Sequence, residues 1–183
     1  MFTFAILIGI YSYGIFLLGI LGLLSKFVIF YYTIAVLIVI LFWKRENFIS
    51  LIRKSIPKIN SKLILLFFAL FLLQASVNFL GALGTETAFD ALWYHLTLPK
   101  LYLANQHIEF IPGGLFYYSA MPKLSEMLYV AGLALGNEIT VKLIHFSFGL
   151  LTCLAIYKLS RKFFNQLISL IAVVIFYSNL VAG

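Results

Sequence analysis

The residues best suited to chemistry lie in one segment of the chain, residues 84–121. Glu86, Asp90 and Tyr94 follow one another at four-residue spacing, which would place them on one face of a short helix. A carboxylate in such a position can take a proton from a hydroxyl group of a substrate. We therefore treat Asp90 and Glu86 as candidate catalytic residues, and Tyr94 as a candidate substrate contact.

Cationic and protonatable side chains follow directly. His95 would lie on the neighbouring face of the same helix, and Lys100 comes shortly after it. The helix is expected to end near Leu98, because Pro99 disfavours a helical conformation in the residue before it. His95 and Lys100 are therefore candidates for binding a phosphate, whose charge they could neutralise.

A purely structural interpretation fits the same residues. Thr87 and Asp90 have the spacing of a capping box, in which Asp90 would only bond to the backbone at the start of the helix. Glu86 near a helix N-terminus would stabilise the helix dipole, and His95 would be a packed ring. Spacing alone leaves both interpretations open.

The composition places these residues in a membrane protein. Of the 183 residues, 63% are hydrophobic and only 10% are charged, which is too little polar surface for a soluble domain. The single cysteine excludes a disulfide framework and a cysteine-based metal cluster. The net charge of +7 is interpreted as a topology signal, so no nucleic-acid partner is expected.

The apolar runs predict an all-α integral membrane protein with about five transmembrane helices, in a multi-pass arrangement in the plasma (cell inner) membrane. The predicted spans are residues 2–24, 27–43, 63–83, 139–158 and 167–182. Residues 1–43 would form an N-terminal hairpin, followed by a basic loop, 44–62, on the cytoplasmic leaflet. The segment that carries the candidate site is then extracytoplasmic, within a long first outer loop, 84–138.

One apolar stretch in that loop, residues 122–136, is expected to lie in the membrane interface as a juxtamembrane helix. It has only 15 residues, includes Lys123 and Glu126, and would violate the charge rule if it crossed. Lys142 lies near the outer end of the fourth predicted span, where a charged residue is a functional candidate by default.

The order of these elements resembles the N-terminal part of the membrane-embedded GT-C glycosyltransferases. The resemblance rests on an early acid followed by YHLTLPKLYL, then SAMPKLSEMLYVAGLALGNE, and a span that closes on LSRKFF. The most similar branches are the bacterial relatives of the dolichyl-phosphate-mannose–protein mannosyltransferases and the lipid A aminoarabinose transferases. The resemblance covers residues 63–183, and it implies that they are the front part of a larger core with about twice as many spans.

The resemblance implies a specific reaction. A sugar would pass from a polyprenyl-phosphate carrier to an acceptor hydroxyl of a protein, lipid or glycan, by direct displacement with inversion. By position, Asp90 is the implied base, and Glu86 would replace an acid that follows the aspartate directly in the family. Lys123, in the Pro-containing helix, would help to hold the carrier phosphate. No cofactor is implied with certainty, although some branches use a divalent metal at the acid.

Two other interpretations compete with the enzyme. A non-enzymatic membrane scaffold or lipid-binding subunit would need only the capped helix and the lipid-facing surfaces. A transporter fragment is disfavoured, because the chain shows no internal repeat and little charge in its first three predicted spans.

Overall fold

The structure is a computed structural model that describes residues 2–53, 57, 59, 61–114, 116–121 and 124–179. Within these ranges all of the regular secondary structure is helical. The α-helices are α1 (Phe2–Ile20), α2 (Lys26–Arg53), α3 (Lys62–Leu83), α4 (Thr97–Asn105), α5 (Leu124–Leu135), α6 (Glu138–Ser160) and α7 (Gln166–Tyr177). A π-helical turn, Ala91–His95, precedes α4, and a 3-10 turn, Tyr117–Ala120, precedes α5. The prediction of an all-α chain is therefore confirmed for the described residues.

Polar residues at the helix starts explain where several helices begin. The Ser61 side chain accepts a hydrogen bond from the backbone N–H of Ile64 at 3.2 Å, at the start of α3. The Asn165 side chain accepts one from Ile168 N–H at 3.0 Å, at the start of α7. These bonds satisfy N–H groups that have no partner within the helix, which a helix near a lipid phase especially requires.

Two helices, α3 and α6, are long and apolar enough to cross a membrane. The 22 residues of α3 extend about 33 Å, which matches a hydrocarbon core about 30 Å thick. Large apolar side chains of α3, such as Leu73 and Leu80, are exposed, as is expected of a lipid-facing helix. The other apolar stretches, Ala5–Ile20, Lys26–Ile40, Leu124–Leu135 and Gln166–Tyr177, are each shorter than 18 residues, so five crossings stay a prediction.

The described parts of the chain form two compact units. The first contains Met1–Phe42 and Thr85–Ile144, and the second contains Trp43–Gly84 and His145–Gly183. In the second unit α3 packs on α7, where the rings of Phe71 and Tyr177 lie 5.6 Å apart, centroid to centroid.

The first unit is built around α5, which packs against both α1 and α4. Met127 and Val130 of α5 are fully buried, together with Ile15 of α1 and Tyr102 of α4. The 12 residues of α5 extend about 18 Å, too short to cross a membrane. The structure gives α5 the central position in a helical core, and the placement of this helix in the membrane interface stays a prediction.

The C-terminal end of α1 is joined to the end of α4 by a close backbone contact. The N–H of Ile108 donates to the carbonyl of Gly19 at 3.0 Å, and the N–H of Leu24 donates to the carbonyl of Gln106 at 3.3 Å. A Cβ atom on Gly19 would lie 2.2 Å from Cδ1 of Ile108, so only glycine permits this approach. Gly9 of the same helix has open space around its Cα.

We therefore predict that Gly19→Leu lowers the free energy of unfolding by about 1–3 kcal/mol, because the added side chain must displace Ile108. The matched variant Gly9→Leu should match the wild type or exceed it slightly, because leucine favours a helix more than glycine does. Thermal unfolding of the purified protein in detergent, followed by circular dichroism, measures both. Equal melting temperatures for the two variants would contradict the packing described for α1.

Candidate functional site

The first unit contains a cavity of about 280 Å³. The π-helical turn, α4, the 3-10 turn and the start of α5 all contribute to its wall. Its polar lining consists of Tyr94, His95, Tyr102, Tyr118, Ser125 and Glu126. Two of the residues chosen from the sequence, Tyr94 and His95, thus meet at one concave site.

A histidine–carboxylate pair lies in this wall. Nδ1 of His95 is 3.0 Å from Oε1 of Glu126. The Glu126 side chain is only 10% exposed, and its other oxygen accepts a hydrogen bond from the Ser125 hydroxyl at 3.2 Å. The carboxylate is therefore buried and held by two polar side chains, as a buried charge requires.

The π-helical turn explains how His95 reaches this position. The N–H of Leu96 donates to the carbonyl of Ala91 at 2.9 Å, five residues back, and the Thr97 hydroxyl donates to the carbonyl of Leu92. Pro99 has no N–H, so its place in the first turn of α4 costs no helical hydrogen bond. The expected end of the helix at Leu98 is thus wrong: the chain widens by one residue and continues as α4. Such widened turns occur frequently at functional sites.

Stacked aromatic rings form the adjoining wall. The Tyr94 and Tyr118 rings lie 4.1 Å apart and are nearly parallel, at 9°. Tyr117 stacks on the other side of Tyr118 at 4.1 Å, and Trp93 meets Tyr118 edge to face at 5.1 Å. These rings pack on one another beside the cavity.

The tyrosines around the cavity remain protonated at neutral pH. Burial, with the negative charge of Glu126 as a smaller contribution, raises the pKa of Tyr102 to about 12 and that of Tyr129 to about 12. A hydrogen bond with Tyr117, followed by burial, raises the pKa of Tyr118 to about 12. Their hydroxyl groups can therefore donate hydrogen bonds, but they do not serve as bases.

Asp90 lies at the edge of this aromatic group. It is exposed, directly precedes the π-helical turn, and makes no capping hydrogen bond. Burial is the main cause that raises the pKa of Tyr94, and the hydrogen bond with Tyr117 is the main cause for Tyr118, followed by burial. The negative charge of Asp90 is a smaller cause for both, so its carboxylate lies near these two rings. The capping box suggested by Thr87 and Asp90 is therefore not what the structure forms.

Glu86 has the capping role instead. Its Oε1 accepts hydrogen bonds from the N–H groups of Thr87 and Ala88, at 2.9 and 2.8 Å. Its Oε2 lies 3.8 Å from Nζ of Lys142, and both side chains are mostly buried, at 16% and 14% exposure. Glu86 and Lys142 thus form a structural pair that connects the start of this segment to α6.

Lys100 is not among the described residues that line the cavity. Nζ of Lys100 is 2.5 Å from Oε1 of Glu138, and both side chains are about half exposed. Lys123 lies outside the residues that the structure describes.

Glu126 is the site residue that the sequence analysis did not choose. It was considered only as an argument against a membrane span. An acid within an apolar helix is a usable signal, because a buried carboxylate needs a partner and seldom occurs without one. The sequence does not indicate which residue is that partner, because His95 lies 31 residues earlier in the chain.

In the part of the chain that the structure describes, no group of three or more His, Cys, Asp or Glu side chains could hold a metal ion. No protein-family model matches the chain, and neither a curated protein nor a solved structure matches it.

The role of Glu86 predicts a graded loss of stability. Glu86→Gln keeps an acceptor for the two N–H groups and loses only the attraction to Lys142, so it should cost about 1 kcal/mol. Glu86→Ala loses the cap as well and should cost about 1 kcal/mol more. Denaturant unfolding in mixed micelles measures the two losses, and equal stability of both variants with the wild type would refute the structural role.

Proposed function

We propose that the chain is a membrane glycosyltransferase that moves a sugar from a polyprenyl-phosphate carrier to an acceptor hydroxyl. It acts on the extracytoplasmic face of the plasma membrane, as part of a multi-pass protein. The acceptor is a hydroxyl of a protein, a lipid or a glycan. The order of elements over residues 63–183 and the two helices able to cross a membrane support this proposal.

The observation that carries the proposal is the position of Asp90. A base for this reaction must be accessible and must not be engaged in holding the fold. Asp90 is exposed and makes no capping bond, whereas the nearby Glu86 is occupied by two backbone N–H groups and Lys142. We therefore assign the base to Asp90 and a positioning role to Glu86.

The reaction needs one proton transfer and one displacement. The acceptor O–H gives its proton to the Asp90 carboxylate while its oxygen forms a bond to the anomeric carbon of the sugar. The bond from that carbon to the carrier phosphate oxygen breaks, and the electron pair leaves with the phosphate. The configuration at the anomeric carbon inverts, and no step is assigned to a metal or to a covalent enzyme intermediate.

The surroundings of Asp90 suit a sugar. The ring edges of Tyr94 and Tyr118 provide apolar surface beside the cavity for the C–H groups of a sugar ring, and the Tyr94 hydroxyl can donate to its oxygens. The half-exposed Lys100 can exchange Glu138 for the carrier phosphate, because a pair this exposed is held weakly. Lys123 is the second proposed phosphate contact.

We predict that Asp90→Asn lowers the transfer rate by a factor of about 10²–10⁴, because the amide cannot take the proton. The matched control is Glu109→Gln, which removes an exposed acid from the same segment and should leave the rate unchanged. Membranes that contain the protein, expressed from its native reading frame, are incubated with radiolabelled polyprenyl-phosphate sugars, and release of polyprenyl phosphate is measured.

The alternative of a scaffold or lipid-binding subunit makes the opposite prediction. A wild-type protein that inserts normally but transfers no sugar from any carrier tested would refute the transferase. Wild-type activity in Asp90→Asn would refute the assignment of the base.

A further inference from the structure

We propose that the cavity beside Asp90 binds one neutral sugar ring, the ring that carries the acceptor hydroxyl. In this site Nε2 of His95 accepts a hydrogen bond from a ligand hydroxyl, and Glu126 is the positioning residue that holds the imidazole in place. The assignment of this ring to the acceptor rests on the proposed function; the binding of a neutral ring does not.

The orientation of His95 follows from its contact with Glu126. A carboxylate accepts hydrogen bonds and does not donate them, so Nδ1 at 3.0 Å must carry the proton of a neutral imidazole. Nε2 is then the unprotonated nitrogen, which is an acceptor. The same arrangement orients histidines that act on hydroxyl groups in other enzymes, where a buried carboxylate selects the tautomer.

The cavity provides both kinds of partner that a sugar hydroxyl needs. The hydroxyls of Tyr94 and Tyr102 stay protonated and can donate, while His95 accepts. The edges of the stacked Tyr94 and Tyr118 rings add apolar surface to the cavity wall. Small-ligand sites generally combine aromatic walls with a few polar groups, and these polar groups fix the orientation of the ligand.

The size and charge of the cavity select among ligands. Its volume, about 280 Å³, lies below the usual range for drug-sized ligands and suits a single ring. The buried carboxylate of Glu126 repels an anion, and none of the lining residues that the structure describes is a lysine or arginine. A sugar phosphate is therefore disfavoured here, which separates this site from the carrier phosphate.

Trp93 provides a reporter of binding, because its ring lies 5.1 Å from that of Tyr118 in the cavity wall. The chain has two tryptophans, so Trp43→Phe leaves Trp93 as the single fluorophore. The purified full chain with this substitution is titrated in detergent with a panel of neutral methyl glycosides and, separately, with hexose 1-phosphates. We expect a saturable fluorescence change with at least one neutral glycoside, and affinity at least tenfold lower for its 1-phosphate counterpart.

Variants in the same background test the roles of the pair. His95→Ala and Glu126→Gln should each weaken glycoside binding about tenfold, the loss expected for one hydrogen bond. His145→Ala, which removes a histidine of the second unit, should bind like the parent. Restoration of part of the affinity by His95→Gln, whose amide oxygen can accept, would separate a ligand contact from a packing role.

The proposal is overturned if no neutral glycoside gives a saturable change, or if the 1-phosphates bind as well as the neutral rings. These two results use the unaltered cavity, so they do not depend on whether a variant folds. Unchanged affinity in His95→Ala would also overturn it. The titration contains no donor, so its result is independent of the transfer assay. Glycoside binding by a protein that transfers no sugar in the membrane assay would refute only the transferase, and transfer by a protein that binds no glycoside would refute only this site.

Discussion

A buried carboxylate within an apolar helix is the constraint on which the first unit depends. Glu126 lies among the core residues of α5, where an unpaired charge would cost about 3–5 kcal/mol. Its partners come from two places: Ser125 beside it and His95 from the π-helical turn. The π-helical turn before α4 therefore places His95 within hydrogen-bond distance of this carboxylate.

Two more carboxylates of this unit are paired with lysines. Glu86 is held by backbone N–H groups and by Lys142, and Glu138 by Lys100. Asp90 differs, since it is exposed and makes no capping bond. An accessible acid next to residues of the cavity wall is suited to proton transfer, because the fold does not depend on its charge.

Several features of the fold could be predicted from the sequence, since they depend on local patterns. Long apolar runs predict α3 and α6, and Ser61 and Asn165 stand where the helices they cap begin. The concentration of candidate residues before α4 was also readable, and Tyr94 and His95 do line one cavity. Each of these inferences uses residues within a few positions of one another.

What could not be predicted depends on distant contacts. Four-residue spacing placed Glu86 with Asp90, yet the chain is not helical at residue 86, so Glu86 turns back to cap the backbone. The position of α5 between α1 and α4 follows from packing that periodicity does not encode. The pairing of His95 with Glu126 spans 31 residues, and no local rule names that partner.

Nitrogen NMR of the His95 imidazole shows whether Glu126 fixes the tautomer of this ring and leaves Nε2 as an acceptor. The protein is labelled with ¹⁵N-histidine, the His95 signals are assigned by their loss in His95→Gln, and spectra are recorded at a pH where the ring is neutral. We expect a proton on Nδ1 and none on Nε2 in the wild type, with a mixture of both tautomers in Glu126→Gln. A wild-type ring protonated on Nε2, or the same tautomer in both proteins, would contradict this expectation.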